Sequence, residues 1–511
     1  MSLNLATLLI ESAKRNPTKV AVILDEFRLT YAELHAESNK FANLLTQAGV
    51  RKGDKVAMLL PNLPQFLICY YGILKTGATV VTLNVLLKAG EIAYRLEDSE
   101  AVALITWEPF VDQALPAFQQ VDTCRNLFFV NAATSTSQPE GEGIKNFNAL
   151  MRDAWPTFDL VQTMPEDTAV FLYSGSTSGQ AKAAELTHFN LLFNVRVIVD
   201  ELGFSFVSNE VVLAALPLFH SFGQTAVMNT AISLGQTITL MPRFDPVKAF
   251  RIIERDKVTK FAGVPTMYLY LINHPDRTRY DLSSLHECIS GGAALTVELF
   301  QAWEKAFGFK ILEGFGLSET SPVASFNIRS RSPKPGSIGV PVWGVEMKIA
   351  DDLDNEVPVG DAGELLIRGH NVMKGYYKRP ELNAEVMRNG WFHSGDLARM
   401  DEEGYFYIVG RKKDMILRGG FNIYAREIED LVCSHPAVLE CAVFGVADEM
   451  LGEEVKAVVV SKPGQTITEK EISKYCRERV ASYKYPRYVE IRSEPLPRND
   501  KGQILKQQLK G

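Results

Sequence analysis

Cysteine is scarce in this chain, and the cysteines are far apart. The 511 residues include six of them, and no two form a CxxC pair: Cys69, Cys124, Cys288, Cys433, Cys441 and Cys476. Zinc sites and disulfide-stapled folds use cysteines at close, recurring spacings. The spacing here argues against both kinds of site and favours a reducing compartment, the cytoplasm.

Long hydrophobic runs are missing as well. The most apolar stretch, Phe66 to Leu87, is interrupted by Lys75, and the N-terminal segment lacks a basic leader followed by a long apolar run. A membrane-spanning helix needs about 20 consecutive apolar residues, and a secretory signal needs both a basic and an apolar region. We therefore expect neither a membrane span nor a signal peptide.

The chain has no overall excess of positive charge. Its formal net charge of −7 opposes an extended nucleic-acid surface. The residues from Arg411 to the end nevertheless hold 18 Lys and Arg against 15 Asp and Glu. This basic segment has two interpretations: ordinary variation between solvated faces, or a small module that closes over an anionic ligand.

Short strand-forming runs alternate with helical segments through most of the chain. "KVAVIL", "KVAMLL", "TVVTLN", "VALITW" and "LFFVNA" are apolar and rich in β-branched residues, and "FLICYYGILKTG" is a typical helical segment between them. This alternation predicts an α/β fold of stacked layers with parallel sheets. After Gly363, the runs "GELLIRG", "GYFYIVG" and "DMILRGG" predict a compact β unit, and a basic helix-rich segment follows it.

The stretch "YSGSTSGQAKAAELTH", from Tyr173 to His188, is rich in hydroxyl groups and carries one lysine. The apolar run before it predicts a buried strand over Ala169 to Tyr173, and Thr187 is a candidate cap for a following helix. We therefore expect a loop between a strand and a helix, where backbone N–H groups, hydroxyls and Lys182 surround phosphate oxygens. The spacing does not fit GxxxxGK[ST], so a P-loop nucleotide fold is not supported.

This loop and seven further motifs resemble the adenylate-forming enzymes, the superfamily of acyl-CoA synthetases, luciferases and peptide-synthetase adenylation domains. The resemblance covers nearly the whole chain, because the motifs follow one another in the family's order: "LPLFHSFG", "GVPTMY", "SGGAAL", "EGFGLSET", "WFHSGD", "GRKKDMILRGGFNI" and "YAREIE". It implies an α/β N-terminal domain over residues 1–410, with stacked layers and a small β-barrel-like unit, and a mobile α+β C-terminal domain over 411–511.

The resemblance also implies a reaction. The family joins a carboxylate to the α-phosphate of ATP, releases pyrophosphate, and passes the acyl group to a thiol. Such chemistry requires cations and N–H or O–H donors around the phosphates. The expected cosubstrates are ATP and CoA, with Mg²⁺. The expected partners are small molecules, with no nucleic acid; a carrier protein as acyl acceptor and a homo-oligomer both stay open.

Residue roles are carried over from the matching motifs. Thr177, Ser178 and Lys182 would meet the β- and γ-phosphates, Ser318 the α-phosphate, Phe315 the adenine, and Asp396 and Arg411 the ribose hydroxyls. Glu319, with Thr177, would hold Mg²⁺. The full nucleotide-binding set is Ser174, Ser176, Thr177, Ser178, Gly179, Lys182, Gly292, Ala293, Glu313, Gly314, Phe315, Gly316, Ser318, Asp396, Ile408 and Arg411.

The acid and the acyl acceptor would meet other positions. Amino-acid-activating relatives carry an aspartate where this chain has His220, so a fatty or aryl acid is favoured, and we prefer a medium- or long-chain fatty acid. Lys413 would be the hinge between the domains, and Gly420 would line a pantetheine tunnel. The substrate-binding set is His220, Gly263, Gly292, Gly316 and Gly420, and the catalytic set is Lys182, His220, Glu319, Lys413 and Gln503.

The chain departs from the family pattern at three places. Gly175 and Ser176 exchange the family's Ser and Gly, the family's PKG reads Ala181, Lys182, Ala183, and Gln503 stands where the adenylation lysine belongs. Glutamine donates hydrogen bonds but carries no charge. Three functions therefore stay open: a working acid–CoA ligase, an adenylation-impaired homologue that binds acyl and nucleotide ligands, and an acyl-AMP ligase that loads a carrier protein.

Overall fold

A computed structural model describes residues 3–132, 135, 141–174, 181–201, 210–418, 421–448, 450–499 and 503–510, without the side chains at 413 and 422. The α-helices are α1 Thr7–Arg15, α2 Tyr31–Gln47, α3 Pro64–Lys75, α4 Ala89–Ser99, α5 Val111–Gln119, α6 Phe147–Asp153, α7 His188–Glu201, α8 Thr230–Ser233, α9 Pro246–Asp256, α10 Pro265–Asn273, α11 Val297–Phe307, α12 Pro380–Val386, α13 Ala425–Cys433 and α14 Glu469–Arg477. A π-helix over Phe222–Asn229 precedes α8.

The strands are β1 Val20–Leu24, β2 Phe27–Thr30, β3 Lys55–Leu59, β4 Thr79–Thr82, β5 Ala101–Trp107, β6 Asn126–Val130, β7 Ile144–Asn146, β8 Thr168–Ser174, β9 Lys182–Thr187, β10 Val211–Ala214, β11 Thr237–Leu240, β12 Lys260–Gly263, β13 Glu287–Ser290, β14 Ile311–Gly316, β15 Val323–Phe326, β16 Val340–Pro341, β17 Val345–Ala350, β18 Gly363–Gly369, β19 Gly375–Tyr376, β20 Met387–Arg388, β21 Trp391–Met400, β22 Phe406–Arg411, β23 Ile416–Arg418, β24 Phe421–Ile423, β25 Val438–Asp448, β26 Gly452–Ser461 and β27 Tyr488–Arg492.

Two large, mainly parallel sheets form most of the molecule. One has the strand order β16-β15-β14-β13-β12-β10-β11-β1-β2, and the other has the order β19-β9-β8-β4-β3-β5-β6-β7. Antiparallel strands lie only at their edges, as in the β1–β2 and β14–β15 pairs. This arrangement confirms the α/β fold that the alternating sequence pattern predicts.

Helix α3 shows why the most apolar stretch folds as it does. Pro64 occupies its first turn, where the missing N–H is no loss, and every residue except Gln65 is buried. A helix that is apolar on all sides belongs in the interior of a large protein. Within the described part of the chain, no helix combines the length and hydropathy that crossing a membrane requires.

The second half of the hydroxyl-rich stretch forms a strand, which corrects the sequence prediction. Residues Lys182–Thr187 make β9, which pairs antiparallel with β8. Thr187 does cap helix α7 as predicted, because its Oγ1 accepts a hydrogen bond from Asn190 N at 3.0 Å. The loop between Ser174 and Lys182 therefore joins two strands of a hairpin instead of leading into a helix N-terminus. The helix-terminus argument for phosphate binding does not apply here.

Two smaller antiparallel units follow the large sheets. Strands β17, β18, β21, β20 and β22 form one five-stranded sheet, and β24, β23, β26, β25 and β27 form another, in which β27 runs parallel to β26. The second sheet has its own hydrophobic clusters, whose members lie between Ile416 and Leu509. A domain boundary at 410–411 stays a prediction.

Asn62 links the two large sheets beside the "LPLFHSFG" segment. Its side-chain nitrogen donates to Ala214 O at 2.9 Å and to Leu216 O at 2.8 Å, and its side-chain oxygen accepts from Leu218 N at 2.9 Å. The residue is 2% exposed. One buried amide thus fixes the backbone that leads to His220.

We expect Asn62→Ala to destabilise the fold by roughly 1–3 kcal/mol, because it leaves buried backbone groups without partners. Urea unfolding followed by tryptophan fluorescence measures the shift in midpoint. Asn273→Ala is the matched control, since the exposed Asn273 amide bonds only to Leu269 O within its own helix. Equal midpoints for the two variants would contradict the linking role of Asn62.

Candidate functional site

Three adjacent parallel strands end at one edge of the larger sheet. Gly263 pairs in register with Ser290, and Ser290 pairs with Glu313, at the carboxyl ends of β12, β13 and β14. In open α/β sheets, ligands bind outside these ends. The structure therefore brings Gly263, the turn with Gly292 and Ala293, and the "EGFG" segment of β14 side by side.

Close backbone packing explains two glycines of the "EGFG" segment. A Cβ at Gly316 would lie 2.1 Å from Pro322 O, and one at Gly314 would lie 2.3 Å from the Phe326 ring. These glycines let β15 pair with β14. Phe315 between them is half-buried and packs against the main hydrophobic cluster.

Glu313 is a buried carboxyl group at this edge. Its Oε1 accepts a hydrogen bond from Leu295 N at 2.9 Å, and burial raises its pKa to about 8. Because Leu295 follows the Gly292–Ala293 turn, this bond fixes the turn against β14. The described contacts of Glu313 are thus structural.

Lys182 and Glu319 meet at one tyrosine. Lys182 begins β9, and its Nζ lies 4.1 Å from the centre of the Tyr376 ring. Tyr376 Oη donates a hydrogen bond to Glu319 Oε1 at 2.8 Å. Burial lowers the pKa of the Lys182 ammonium, and the Glu319 carboxylate opposes that shift. Glu319 lies in a short 3₁₀ turn, Ser318–Thr320, which Ser318 begins.

The ends of the hydroxyl-rich loop are fixed across the β8–β9 hairpin. Ser174 and Lys182 are partners in the strand register, and Ser174 is buried. The positions Ser176, Thr177, Ser178 and Gly179 lie outside the described residues. Ala183, where the family has glycine, is 1% exposed and packs in a hydrophobic cluster. The fold therefore accommodates the additional methyl group.

Asp396 and Arg411 face each other across two strands. They are register partners in β21 and β22, and Arg411 Nε lies 3.0 Å from Asp396 Oδ1. The Asp396 side chain is buried, whereas that of Arg411 is 41% exposed. Ile408 lies on the same strand as Arg411, opposite Ala398. The two residues assigned to the ribose are therefore neighbours.

His220 lies two residues before the π-helix. The centres of the His220 and Phe219 rings lie 4.7 Å apart in an edge-to-face arrangement. A small cavity lies between the π-helix and strands β10, β12 and β13. Its lining is mostly apolar: Val212, Ala226, Val227, Thr230, Ala231, Gln236, Lys260, Phe261, Ala262, Glu287 and Ile289.

The C-terminal segment reaches the same edge through Gln503. Its Nε2 donates to Gly292 O at 3.1 Å, and its backbone N donates to Asn499 Oδ1 at 2.9 Å. Lys506 forms an ion pair with Glu429 at 2.7 Å. Lys413 belongs to a 3₁₀ turn over Lys412–Asp414 that follows β22, and Gly420 lies outside the described residues.

Sequence reasoning missed Tyr376 and Asn327. Asn327 Nδ2 donates to Glu313 O at 3.0 Å and to Ser337 O at 2.8 Å, and so supports β14. Tyr376 lies 57 positions after its partner Glu319. Neither residue lies in one of the motifs above, because a contact between segments this far apart leaves no local sequence pattern. The one sequence signal near Tyr376 is "GYY" shortly before a helix that begins with proline.

Comparisons with known proteins agree with this geometry. The sequence pattern described as "AMP-binding enzyme" matches residues 9–377, and that of the "AMP-binding enzyme C-terminal domain" matches residues 427–503. A long-chain-fatty-acid–CoA ligase of Bacillus subtilis (strain 168) is 38% identical over 99% of this chain and 94% of its own length. A feruloyl-CoA synthase of Amycolatopsis sp is 37% identical over 97% and 96%.

A solved structure extends the likeness to the fold. The crystal structure of the anthranilate CoA ligase AuaEII in complex with anthranoyl-AMP has a TM-score of 0.93 and 29% sequence identity, covering 100% of this chain and 97% of the other. The sheet edge, the order of the motifs and the two matched domains lead to one conclusion. This chain belongs to the AMP-binding enzyme family.

Proposed function

We propose that this AMP-forming acid–CoA ligase activates a medium- or long-chain fatty acid. The observation that carries the proposal is the apolar character of the segments that follow His220 and Gly263, "AVM" in the π-helix and "MYLYLI" in α10. Apolar walls with few polar groups suit an alkyl chain. His220 offers no carboxylate to pair with a substrate amine. The long-chain-fatty-acid–CoA ligase of Bacillus subtilis supports the same class.

An aryl acid is the second candidate. The feruloyl-CoA synthase is nearly as similar in sequence as the fatty-acid ligase, at 37% against 38%. A flat ring also fits apolar walls, and the adjacent His220 and Phe219 rings are aromatic groups of one motif. The length of the acid, not its polarity, separates the two candidates.

The proposed first step is attack of the carboxylate oxygen on the α-phosphorus of ATP, with pyrophosphate leaving. Lys182 would neutralise the β- and γ-phosphates together with Thr177 and Ser178, and Ser318 would donate to the α-phosphate. Asp396 and Arg411 would hold the ribose hydroxyls, because a carboxylate accepts from two hydroxyl groups at once. Their 3.0 Å contact supports a shared ribose site.

Mg²⁺ would enter with ATP as part of the substrate. The described residues include no cluster of three or more metal-ligating side chains. Magnesium often uses one or two carboxylates and otherwise binds phosphate oxygens and water, so the single buried carboxylate of Glu319 fits this use. Glu319 would hold the ion that neutralises the phosphates during attack.

The second step would transfer the acyl group to CoA after the C-terminal domain, residues 411–511, rotates about Lys413. The Gln503–Gly292 hydrogen bond supports an orientation in which the C-terminal segment covers the adenylation site. Rotation would bring Gly420 to the CoA channel, where a thin ligand needs a residue without a side chain. A carrier protein is an alternative acceptor. The use of ATP and CoA supports the cytoplasmic location that the cysteine spacing predicts.

Incubation with ATP, Mg²⁺, CoA and a graded set of alkyl and aryl acids tests the proposed substrate. We expect mass spectrometry to find acyl-CoA and AMP in equal amounts, and kcat/KM to rise with alkyl chain length up to a limit set by the size of the acid site. Higher kcat/KM for aryl acids would favour the second candidate. Acyl-AMP without acyl-CoA would point to a carrier protein.

We expect Asp396→Asn to weaken binding of an unreactive acyl-adenylate analogue by about tenfold or more, because hydrogen bonds to a charged group contribute about 1.5–3 kcal/mol. Isothermal titration calorimetry measures the dissociation constant. Asp401→Asn is the control. Asp401 directly follows β21, the strand that holds Asp396, and its carboxylate forms an ion pair with Lys334 at 2.7 Å. Unchanged affinity in Asp396→Asn would remove this residue from the ribose site.

Gln503→Lys should raise the rate of acyl-AMP formation at least about tenfold, equivalent to ~1.4 kcal/mol. A positive charge would stabilise the pentavalent α-phosphate, where one preorganised donor is worth roughly 100- to 1,000-fold in rate. Lys506 already forms an ion pair with Glu429, so its charge is partly neutralised. This supports the uncharged Gln503 as the residue that limits the rate of adenylation. Single-turnover assays of both steps should show little change in CoA attack on supplied acyl-adenylate.

If Gln503→Lys leaves adenylation unchanged, the absence of charge at 503 does not limit the step. Lys501→Ala then identifies the source of compensation. A loss of adenylation in Lys501→Ala assigns the charge to Lys501, and no loss assigns the limit to the altered loop around Ser176.

A further inference from the structure

We infer that Tyr376 is a positioning residue for the Glu319 carboxylate, and that its hydroxyl sets the affinity of the enzyme for the divalent cation of MgATP. The inference rests on the proposed role of Glu319 in holding that cation. It adds a residue that lies outside every motif used to recognise the site.

The hydrogen bond between the two side chains is shielded from water. Tyr376 Oη lies 2.8 Å from Glu319 Oε1, and the two residues are 4% and 8% exposed. A hydroxyl bonded to a carboxylate forms a charge-assisted bond that water does not displace when both groups are buried. A tyrosine hydroxyl carries its proton at physiological pH, so the phenol is the donor in this bond.

The backbone of Tyr376 is fixed on two sides. Strand β19 pairs with β9, with Tyr376 opposite Ala184. The Asn383 amide accepts from Tyr376 N at 2.7 Å and donates to Tyr376 O at 2.9 Å. Just before this strand, Met373 N donates to Glu319 O at 2.8 Å. The phenol and the carboxylate are therefore held by one continuous segment, which leaves the carboxylate little freedom to turn.

The ring and the hydroxyl of Tyr376 have separable contacts. The ring faces the Lys182 ammonium at 4.1 Å, a cation–π distance. The hydroxyl acts on Glu319. Tyr376→Phe therefore removes the bond to Glu319 and keeps the ring under Lys182, whereas Tyr376→Leu removes both contacts.

Metal ligands are oriented by the groups that hydrogen-bond to them, and loss of such a partner commonly lowers metal affinity about 10- to 100-fold. We expect this loss in Tyr376→Phe. Mn²⁺ is the probe, titrated into enzyme with ATP and without acid, and electron paramagnetic resonance reports the bound fraction. Binding of ATP alone, with metal removed by chelation, should be unchanged, because the Lys182 contact remains.

Tyr377→Phe is the matched control. It removes a hydroxyl from the adjacent tyrosine, whose Oη bonds to Glu100 at 2.6 Å on the outside of the site. Mn²⁺ affinity in this variant should equal that of the unaltered enzyme. Equal thermal midpoints for the two phenylalanine variants would show that the difference between them is not a folding defect.

Glu319→Gln separates failure of this inference from failure of the proposed function. If Glu319→Gln lowers Mn²⁺ affinity and Tyr376→Phe does not, the positioning role is overturned while the role of Glu319 stands. If neither variant changes Mn²⁺ affinity, the assignment of Glu319 falls and the inference falls with it. Equal weakening of metal-free ATP and Mn²⁺ binding in Tyr376→Phe would also overturn it, since that pattern indicates general loss of structure.

Discussion

The backbone pairing of β19 with β9 is the interaction on which the site depends. This two-residue strand lies almost 200 positions after β9 in the chain, yet Lys374 N donates to Glu185 O and Tyr377 N to Ala183 O, each at 2.9 Å. The pairing carries Tyr376 to the end of the hairpin where Lys182 begins. Through Met373, the same segment also contacts the turn that holds Glu319. Lys182 and Glu319, the residues proposed to bind phosphate and metal, thus share one support.

Much of the fold could be predicted from the sequence, because its strands and helices carry strong local patterns. Apolar, β-branched runs such as "VALITW" and "GELLIRG" became β5 and β18, and Thr187 caps its helix as predicted. Strand β9 was missed because four of the six residues in "KAAELT", the lysine, the two alanines and the glutamate, are of types that strands disfavour. Pairing with β8 on one side and β19 on the other outweighs that weak propensity.

The site was predictable where it follows the order of motifs and unpredictable where it depends on distant contacts. Gly263, Glu313 and the "GFG" segment lie at one edge because parallel strands end there together. The Asp396–Arg411 contact follows from strand pairing. The support of Glu319 by Tyr376 depends on how two segments pack, and periodicity within either segment carries no information about it. The glycines of β14 also serve strand packing, a need that sequence alone does not separate from ligand binding.

The contact between Gln503 and Gly292 affects how the enzyme responds to salt. An amide that donates to a carbonyl is a neutral pair, and dissolved ions screen such a pair far less than they screen an interaction between charges. A lysine at the same place would attract the phosphates over a distance that shrinks as salt is added. Closure of the C-terminal segment through glutamine should therefore respond little to ionic strength, and the salt sensitivity of nucleotide capture should come from charged side chains such as Lys182 and Arg411.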